Sequence, residues 1–319
     1  MIDRPVCNYE GSEYSTEFWT QARTYEDAVE RIALQAILPR RGKTILEIGA
    51  GFGRLTDLYT GYETVVLLDY AHTQLAQAVE RLGTAGPGDK PQFVFVQADF
   101  YHLPFVAGRF DTVTMIRTLH HAIDAPAVLR NVADVLAPSG AFVLEFANKR
   151  NIKAIARYLL RRQDWSPFDR KPVEFVDLNF DFHPQWIWDQ LAGLGLQREA
   201  VRTVSHYRIG FLKRWLPTRL LVALDALAQP TGRLWQLSPS VFVRARARAD
   251  AAGTKASAVA VTPAAAVAPT GAVGPADTFF RCPACGEPLG SPPQAEFKCT
   301  CGRTWRKNGE IYDFRYAPD

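Results

Sequence analysis

Short apolar runs alternate along the first half of the chain with segments whose apolar positions repeat every three to four residues. The runs predict strands at Thr44–Ile48, Thr64–Asp69, Gln92–Ala98, Phe110–Ile116 and Ala141–Ala147. The longer period predicts helices around Arg54–Thr60, Thr73–Leu82 and Ala125–Val135, and an N-terminal helix around Tyr25–Leu38 that Pro39 ends. Such alternation builds a parallel sheet with helices on both faces. After the fifth strand come a basic segment, Ile152–Arg162, a helix at Pro184–Leu194, and strands at Gln197–Tyr207 and Ser240–Arg246. Between those two strands, Phe211–Leu237 reads as inserted helix.

Both periods stop at residues 250–277, which are almost entirely Ala, Val, Pro, Thr and Gly, without an aromatic residue. That composition predicts a disordered linker. It divides the chain into an N-terminal helical segment (1–40), a main α/β domain (41–249) and a short tail (278–319). The tail is too small to fold on apolar burial alone. With 319 residues, 47% of them hydrophobic, the chain as a whole can bury a full core. It has no 18-residue apolar run, and its first residues have neither the basic start nor the apolar centre of a signal peptide, so a cytoplasmic location is the default expectation. The formal charge of +4 is unevenly placed: residues 1–150 carry −4, residues 151–250 carry +7 and the remainder +1. The middle third is therefore where an acidic surface or phosphate would be met.

The first strand runs into Glu47-Ile-Gly49-Ala-Gly51-Phe-Gly53-Arg54. Glycines at a strand-to-helix turn allow positive φ and let a ligand approach the backbone. Asp69 closes the second strand, where a carboxylate can accept hydrogen bonds from both hydroxyls of a ribose. A dinucleotide fingerprint would need glycine where Arg54 stands, and a pyrophosphate would be repelled by Glu47. The sulfonium and ammonium of S-adenosylmethionine would not be. Asp99 and Phe100, after the third strand, suit an adenine amino group and ring.

Taken in order, Glu-x-Gly-x-Gly-x-Gly, Asp69, Ala98-Asp99, Phe110-Asp111-x-Val113 and Leu136-x-Pro138-x-Gly140 resemble the class I S-adenosylmethionine-dependent methyltransferases, particularly the methyltransferase type 11-like branch, over roughly residues 10–205. The resemblance implies a Rossmann-like, doubly wound sheet of the seven-stranded methyltransferase type. It places Glu47, Gly49, Gly51 and Gly53 on the methionine portion of the cofactor, Asp69 and Tyr70 on the ribose, Asp99 and Phe100 on the adenine, and Arg117 between cofactor and substrate. It also implies that the N-terminal segment, rich in aromatics at Tyr9, Tyr14, Phe18, Trp19 and Tyr25, folds over the cofactor as a lid. Methyl transfer mainly requires alignment and exclusion of water, but a hydroxyl or protonated amine acceptor is helped by a base near pH 7. His120 and His121 follow the fourth strand, His121 being the preferred base, with Glu145 at the end of the fifth strand as a weaker one.

Four of the five cysteines form two knuckles, Cys282-x2-Cys285 and Cys299-x-Cys301, each followed by glycine. Four thiolates so spaced suit one tetrahedral, structural Zn2+, whose binding would supply much of the tail's folding free energy. Cys7 stands apart as an ordinary thiol. The pattern around the knuckles resembles the zinc ribbons of rRNA guanine methyltransferases and of small activator subunits of tRNA and rRNA methyltransferases. A methyltransferase acting on a small or lipid-like acceptor is the leading expectation. The alternatives are an RNA methyltransferase guided by the ribbon and a non-catalytic cofactor-binding scaffold. Three further contacts stay open: RNA, a protein partner for the ribbon, and a membrane surface met by the basic, Leu- and Trp-rich stretch 211–237.

Overall fold

Alternate side chains of each central strand enter opposite layers, so both faces of the sheet must be covered. In β1 (Gly42–Ile48), Leu46 and Ile48 join one apolar layer while Ile45 joins the other. β2 (Tyr62–Asp69), β3 (Gln92–Gln97), β4 (Phe110–Met115) and β5 (Leu136–Ala147) repeat the pattern. One layer is closed by α1 (Thr24–Ile37) and α2 (His72–Leu82), the other by α3 (Ala125–Val135). The computed structural model describes residues 7, 9–11, 23–83, 91–248 and 278–316; Tyr14, Phe18, Trp19 and the linker at 250–277 lie outside them.

After β5 come α4 (Ile152–Leu159), a hairpin of β6 (Val173–Val176) and β7 (Asn179–Asp181), α5 (Pro184–Gly193) and β8 (Leu196–Val204). The insertion resolves into α6 (Gly210–Trp215), α7 (Thr218–Ala228) and a 3₁₀ segment, Gln229–Arg233, before β9 (Ser240–Ala247). The hairpin occupies a stretch where no strand was expected. The order β3-β2-β1-β4-β5-β9-β8, parallel except for β9, is the seven-stranded doubly wound sheet anticipated above. Helix starts are set locally. Asp124 accepts the Ala127 amide at 3.0 Å beside Pro126 to open α3, and His183 accepts the Gln185 amide at 3.1 Å to open α5.

The helix expected over Arg54–Thr60 is instead a run of tight turns ending in a 3₁₀ turn, Thr56–Leu58. Its amides bond three residues back: Gly53 to Ala50, Thr56 to Gly53, Leu58 to Leu55. The Thr56 hydroxyl also takes the Gly53 carbonyl, at 2.6 Å, which holds the register tight.

The tail is built differently from a detached ribbon. β10 (Phe280–Arg281) pairs with β11 (Pro288–Gly290), and β12 (Glu296–Lys298), β13 (Thr304–Asn308) and β14 (Ile311–Asp313) form a meander. β14 then pairs in parallel with β3, setting Ile311, Tyr312 and Asp313 opposite Phe95, Val96 and Gln97, so the main sheet grows to ten strands. Phe280, 0% exposed, sits among Phe105, Phe297, Tyr312 and Phe314 with ring centroids 4.8–6.0 Å apart. Arg281 reaches Asp134 at 2.7 Å. The sequence shows too few apolar residues for a tail with its own core, and the structure explains how it manages: it shares the core of the main domain. In return it covers the β3 edge, whose apolar row would otherwise invite pairing with another chain. Among the described residues no helix is long and apolar enough to cross a membrane.

Candidate functional site

The sheet order reverses between β1 and β4, the place where open α/β sheets bind ligands. Gly49, Gly51 and Gly53 all have positive φ there, but for different reasons. A side chain at Gly49 would collide with Thr118 Oγ1 at 2.1 Å, and one at Gly53 would crowd Leu67 at 3.0 Å. At Gly51 a Cβ would meet only the tip of Gln74, at 3.9 Å, so this backbone is open to the cleft. Asp69 accepts the Gly51 amide at 2.8 Å on one oxygen and the Ala71 amide at 2.9 Å on the other. It therefore locks the glycine turn to the end of β2 while each oxygen retains a lone pair for a hydroxyl. Burial raises its pKa.

A cleft of about 620 Å³ opens above this turn. Of the residues expected at a nucleoside site, it brings together Gly49, Gly51, Asp69, Tyr70, Phe100, Arg117 and His121. Gly53 and Asp99 do not line it. Asp99 turns inward, accepting the Tyr101 and His102 amides at 2.6 and 2.9 Å and pairing with the His102 ring at 3.0 Å. Tyr9, one of the aromatics of the expected lid segment, also lines the cleft, and Cys7, Gln74 and Thr118 do so without having been anticipated there. The Thr118 hydroxyl donates to the Ile48 carbonyl at 3.1 Å, fastening the β4 loop over Gly49. No spacing rule marks such a residue in sequence.

Glu47 lies beneath the turn, 3% exposed, lining an adjoining cavity with Gly49, Gly51, Arg54 and Arg117. Its Oε2 has no hydrogen-bond partner. Burial pushes the carboxyl up to about 8, against the pull of the Arg54 guanidinium and of the Tyr59 hydroxyl on the carboxyl group. Arg54 itself is engaged by α1, by Glu30 at 2.8 Å and by Asp27. A buried carboxylate oxygen left unpaired beside a glycine turn is costly unless a ligand completes it.

The two histidines differ. His121 is held at both nitrogens, Nδ1 3.1 Å from the Leu178 carbonyl and Nε2 3.1 Å from the Tyr9 hydroxyl. A carbonyl only accepts, so Nδ1 carries the proton and the lone pair of Nε2 accepts the Tyr9 hydroxyl. Burial lowers the His121 pKa, which keeps the ring neutral at pH 7. His120 stacks on it at 4.0 Å between centroids, outside the cleft lining, and burial lowers its pKa further. Glu145 does not reach the cleft: it accepts the Arg117 amide at 2.9 Å and the Ser240 hydroxyl at 2.6 Å. Through that amide it holds Arg117 at φ 56°, a conformation non-glycine residues adopt only when the surroundings impose it.

Two residues of the N-terminal segment, Cys7 and Tyr9, border the cleft. The Glu10 carboxylate accepts the His72 and Thr73 amides at 2.7 and 3.2 Å, capping α2, which has no side-chain cap of its own. That anchor sets Tyr9 against His121 and Cys7 at the rim. Tyr25, expected with the lid aromatics, is instead buried in α1 and donates to Asp225 of α7 at 2.6 Å.

Away from the cleft, the four cysteine sulfurs lie within 4.8 Å of one another. Cys282 and Cys301 are 3.8 Å apart and Cys285 and Cys299 3.3 Å. Thiolates about 2.3 Å from one tetrahedral Zn2+ would be about 3.8 Å apart, so the donor set and spacing fit that ion. The Arg303 amide hydrogen-bonds Cys301 and draws its pKa down to about 7.

Comparison with known proteins agrees with this geometry. Residues 46–144 match the methyltransferase domain family. A 27-O-demethylrifamycin SV methyltransferase of Amycolatopsis mediterranei is 32% identical over 133 residues, 40% of this chain and 48% of that protein. A ubiquinone/menaquinone biosynthesis C-methyltransferase of Pseudomonas fluorescens is 34% identical over 129 residues, 38% and 49% of the two chains. The chain thus spans about half the length of the curated relatives it matches. Among solved structures, an S-adenosylmethionine-dependent methyltransferase from Mesorhizobium loti superimposes with a TM-score of 0.47 at 21% identity, covering 67% of this chain and 95% of that one. The stretch that matches the methyltransferase domain family, residues 46–144, holds the glycine turn over Glu47, Asp69 and the loop after β4, the parts of the chain that form the cleft.

Proposed function

We propose that the chain transfers the methyl group of S-adenosylmethionine to a small or lipid-like acceptor, and that its cysteine cluster holds a structural Zn2+. The observation that carries the first reading is the unpartnered, buried Oε2 of Glu47 beside the open backbone of Gly51. An ammonium group satisfies that oxygen, whereas a pyrophosphate does not. Asp69, Tyr70, Phe100 and Arg117 all line the cleft, which supports Asp69 and Tyr70 on the ribose, Phe100 on the adenine and Arg117 between cofactor and acceptor.

S-adenosylmethionine, when bound, supplies a methyl carbon activated for displacement by its sulfonium. The residues of this chain do the rest: Glu47 and Asp69 fix the two ends, Tyr9 and the β6–β7 hairpin keep water out, and His121 stands over the acceptor side. For a hydroxyl acceptor that takes the place of the Tyr9 hydroxyl at Nε2 of His121, that nitrogen accepts the proton as the new bond to the methyl carbon forms and the carbon–sulfur bond breaks. Relatives named for a rifamycin and for ubiquinone/menaquinone biosynthesis support an apolar, non-polymeric acceptor. Four thiols and no open position support a structural rather than catalytic metal.

Calorimetry on the full chain tests the cofactor. Binding of S-adenosylmethionine near micromolar affinity is expected, weakened at least about a hundredfold in Asp69→Ala. No heat at millimolar cofactor with folded protein would overturn the reading. Labelled methyl groups appearing in apolar extracts incubated with the protein, and absent with the Asp69→Ala variant, would identify the acceptor class.

A further inference from the structure

Half of the sixteen lysines and arginines of residues 151–250 fall in two short stretches. Residues 152–162 and 208–219 contain eight lysines and arginines and no aspartate or glutamate. The same two stretches expose large apolar side chains: Ile152 is 61% exposed, Leu159 69%, Leu160 64%, Phe211 69% and Trp215 68%, joined by Trp235 at 53%.

These residues belong to one surface. The Ile152 amide donates to the Leu237 carbonyl at 2.9 Å, Asn148 reaches the Gln236 carbonyl at 3.1 Å, and the Lys153 ammonium bonds the Arg208 carbonyl. The start of α4 is thus tied to both the α6 entry and the segment before β9. Within α6, the Phe211 and Trp215 rings lie 6.3 Å apart. α4 leaves the sheet a few residues past the end of β5, the same sheet edge that carries the cleft, and the β6–β7 hairpin that contacts His121 adds exposed Phe175 and Val176.

We infer that this face docks on an anionic lipid bilayer, with α4 and α6 lying in the headgroup layer. Exposed apolar groups on this scale cost free energy in water and gain it at the acyl boundary, while a flank of cations matches anionic headgroups. Glu26 of α1 pairs with Arg208 at 3.7 Å and Lys213 at 3.0 Å, so the cations of that flank are Lys153, Arg157, Arg161, Arg162, Arg214 and Arg219. Nucleic acid would engage the cations but leave the Leu, Phe and Trp side chains in water. A second copy of the chain would bring this cationic flank against its own like charges. The bilayer is the occupant that satisfies both halves of the surface. The inference does not depend on the methyl-transfer reading, because it concerns residues outside the cofactor cleft.

Co-sedimentation of the full chain with vesicles of equal parts phosphatidylglycerol and phosphatidylcholine is the test, with pure phosphatidylcholine as reference. Binding to the anionic vesicles should exceed binding to the neutral ones and fall with salt. Phe211→Ser/Trp215→Ser and Arg161→Gln/Arg162→Gln should each weaken it by about tenfold or more, as burial of apolar groups and about 1 kcal/mol per cation imply. S-adenosylmethionine affinity should be unchanged in both variants, which also shows that they fold. No sedimentation with anionic vesicles overturns the inference. So does a salt-sensitive complex with RNA in the absence of vesicle binding, or a stable dimer in light scattering that Phe211→Ser/Trp215→Ser dissociates.

Discussion

Glu47 and His121 are both buried, and burial moves each toward its neutral form. For Glu47 the folded pKa lies near 8 against an ordinary 4.5, so the folded state holds a proton that the unfolded chain releases in between. Its contribution to stability is fully present below pH 4.5 and is lost as pH rises through 8. Glu47→Gln removes that slope. Comparing pH 5 with pH 8.5 in denaturant titrations without cofactor, the variant should gain on the parent by roughly 1–3 kcal/mol, while calorimetry shows its S-adenosylmethionine binding largely lost. Equal pH slopes in the two proteins would refute the assignment. His121 runs the other way, since its lowered pKa leaves Nε2 unprotonated at pH 7. With a hydroxyl acceptor, the acid limb of kcat should fall below the ordinary imidazole value of about 6.5. His121→Gln should cost about 10²–10⁴ in kcat with cofactor affinity nearly unchanged, and a proportionate loss of that affinity would instead make the ring a wall of the cofactor site.

Elements were legible where a local signal and a tertiary one agreed. The α3 span Ala125–Val135 is read directly from Asp124, Pro126 and an apolar stripe, and the same residues cap and bury it in the fold. The five parallel strands follow from apolar runs too short for helices, with boundaries shifted by a few residues. The expected helix after the glycine turn failed because three positive-φ glycines within five residues and the Thr56 hydroxyl favour tight i to i+3 bonding. The β6–β7 hairpin escaped notice because its four- and three-residue strands alternate weakly. At the site, Gly49, Gly51, Asp69 and Phe100 carry a motif, so sequence finds them. Thr118 and Gln74 reach the cleft only through packing, and Asp99, in a motif position, spends its carboxylate on backbone amides. Motif order therefore locates the cofactor side of the cleft better than the acceptor side.

At the scale of the whole molecule, the tail cannot be treated as an independent ribbon. Its Phe280, Phe297 and Phe314 belong to the same apolar layer as Phe105, Phe110 and α3, and Cys282 itself is buried in that layer at 1% exposure. Composition hid this, because a linker in sequence says nothing about where the chain beyond it packs. The path from the cysteine cluster to the cofactor cleft is short: the Phe314 amide donates to the Gln97 carbonyl at 2.7 Å, and the Gln97 side chain donates to the carbonyl of Tyr70, in the cleft wall, at 3.0 Å. Sequence alone argues that losing a cysteine ligand unfolds only the tail. The shared core argues that metal binding stabilises the entire chain. Stripping zinc with a chelator, or making Cys282→Ser, should lower the melting temperature of one single transition by several degrees, as a loss of a few kcal/mol implies for a domain of this size. S-adenosylmethionine affinity should decline in parallel as the β3 edge loosens. A calorimetric scan that splits into a metal-sensitive minor transition and an unshifted major one would show instead that the tail folds and melts on its own.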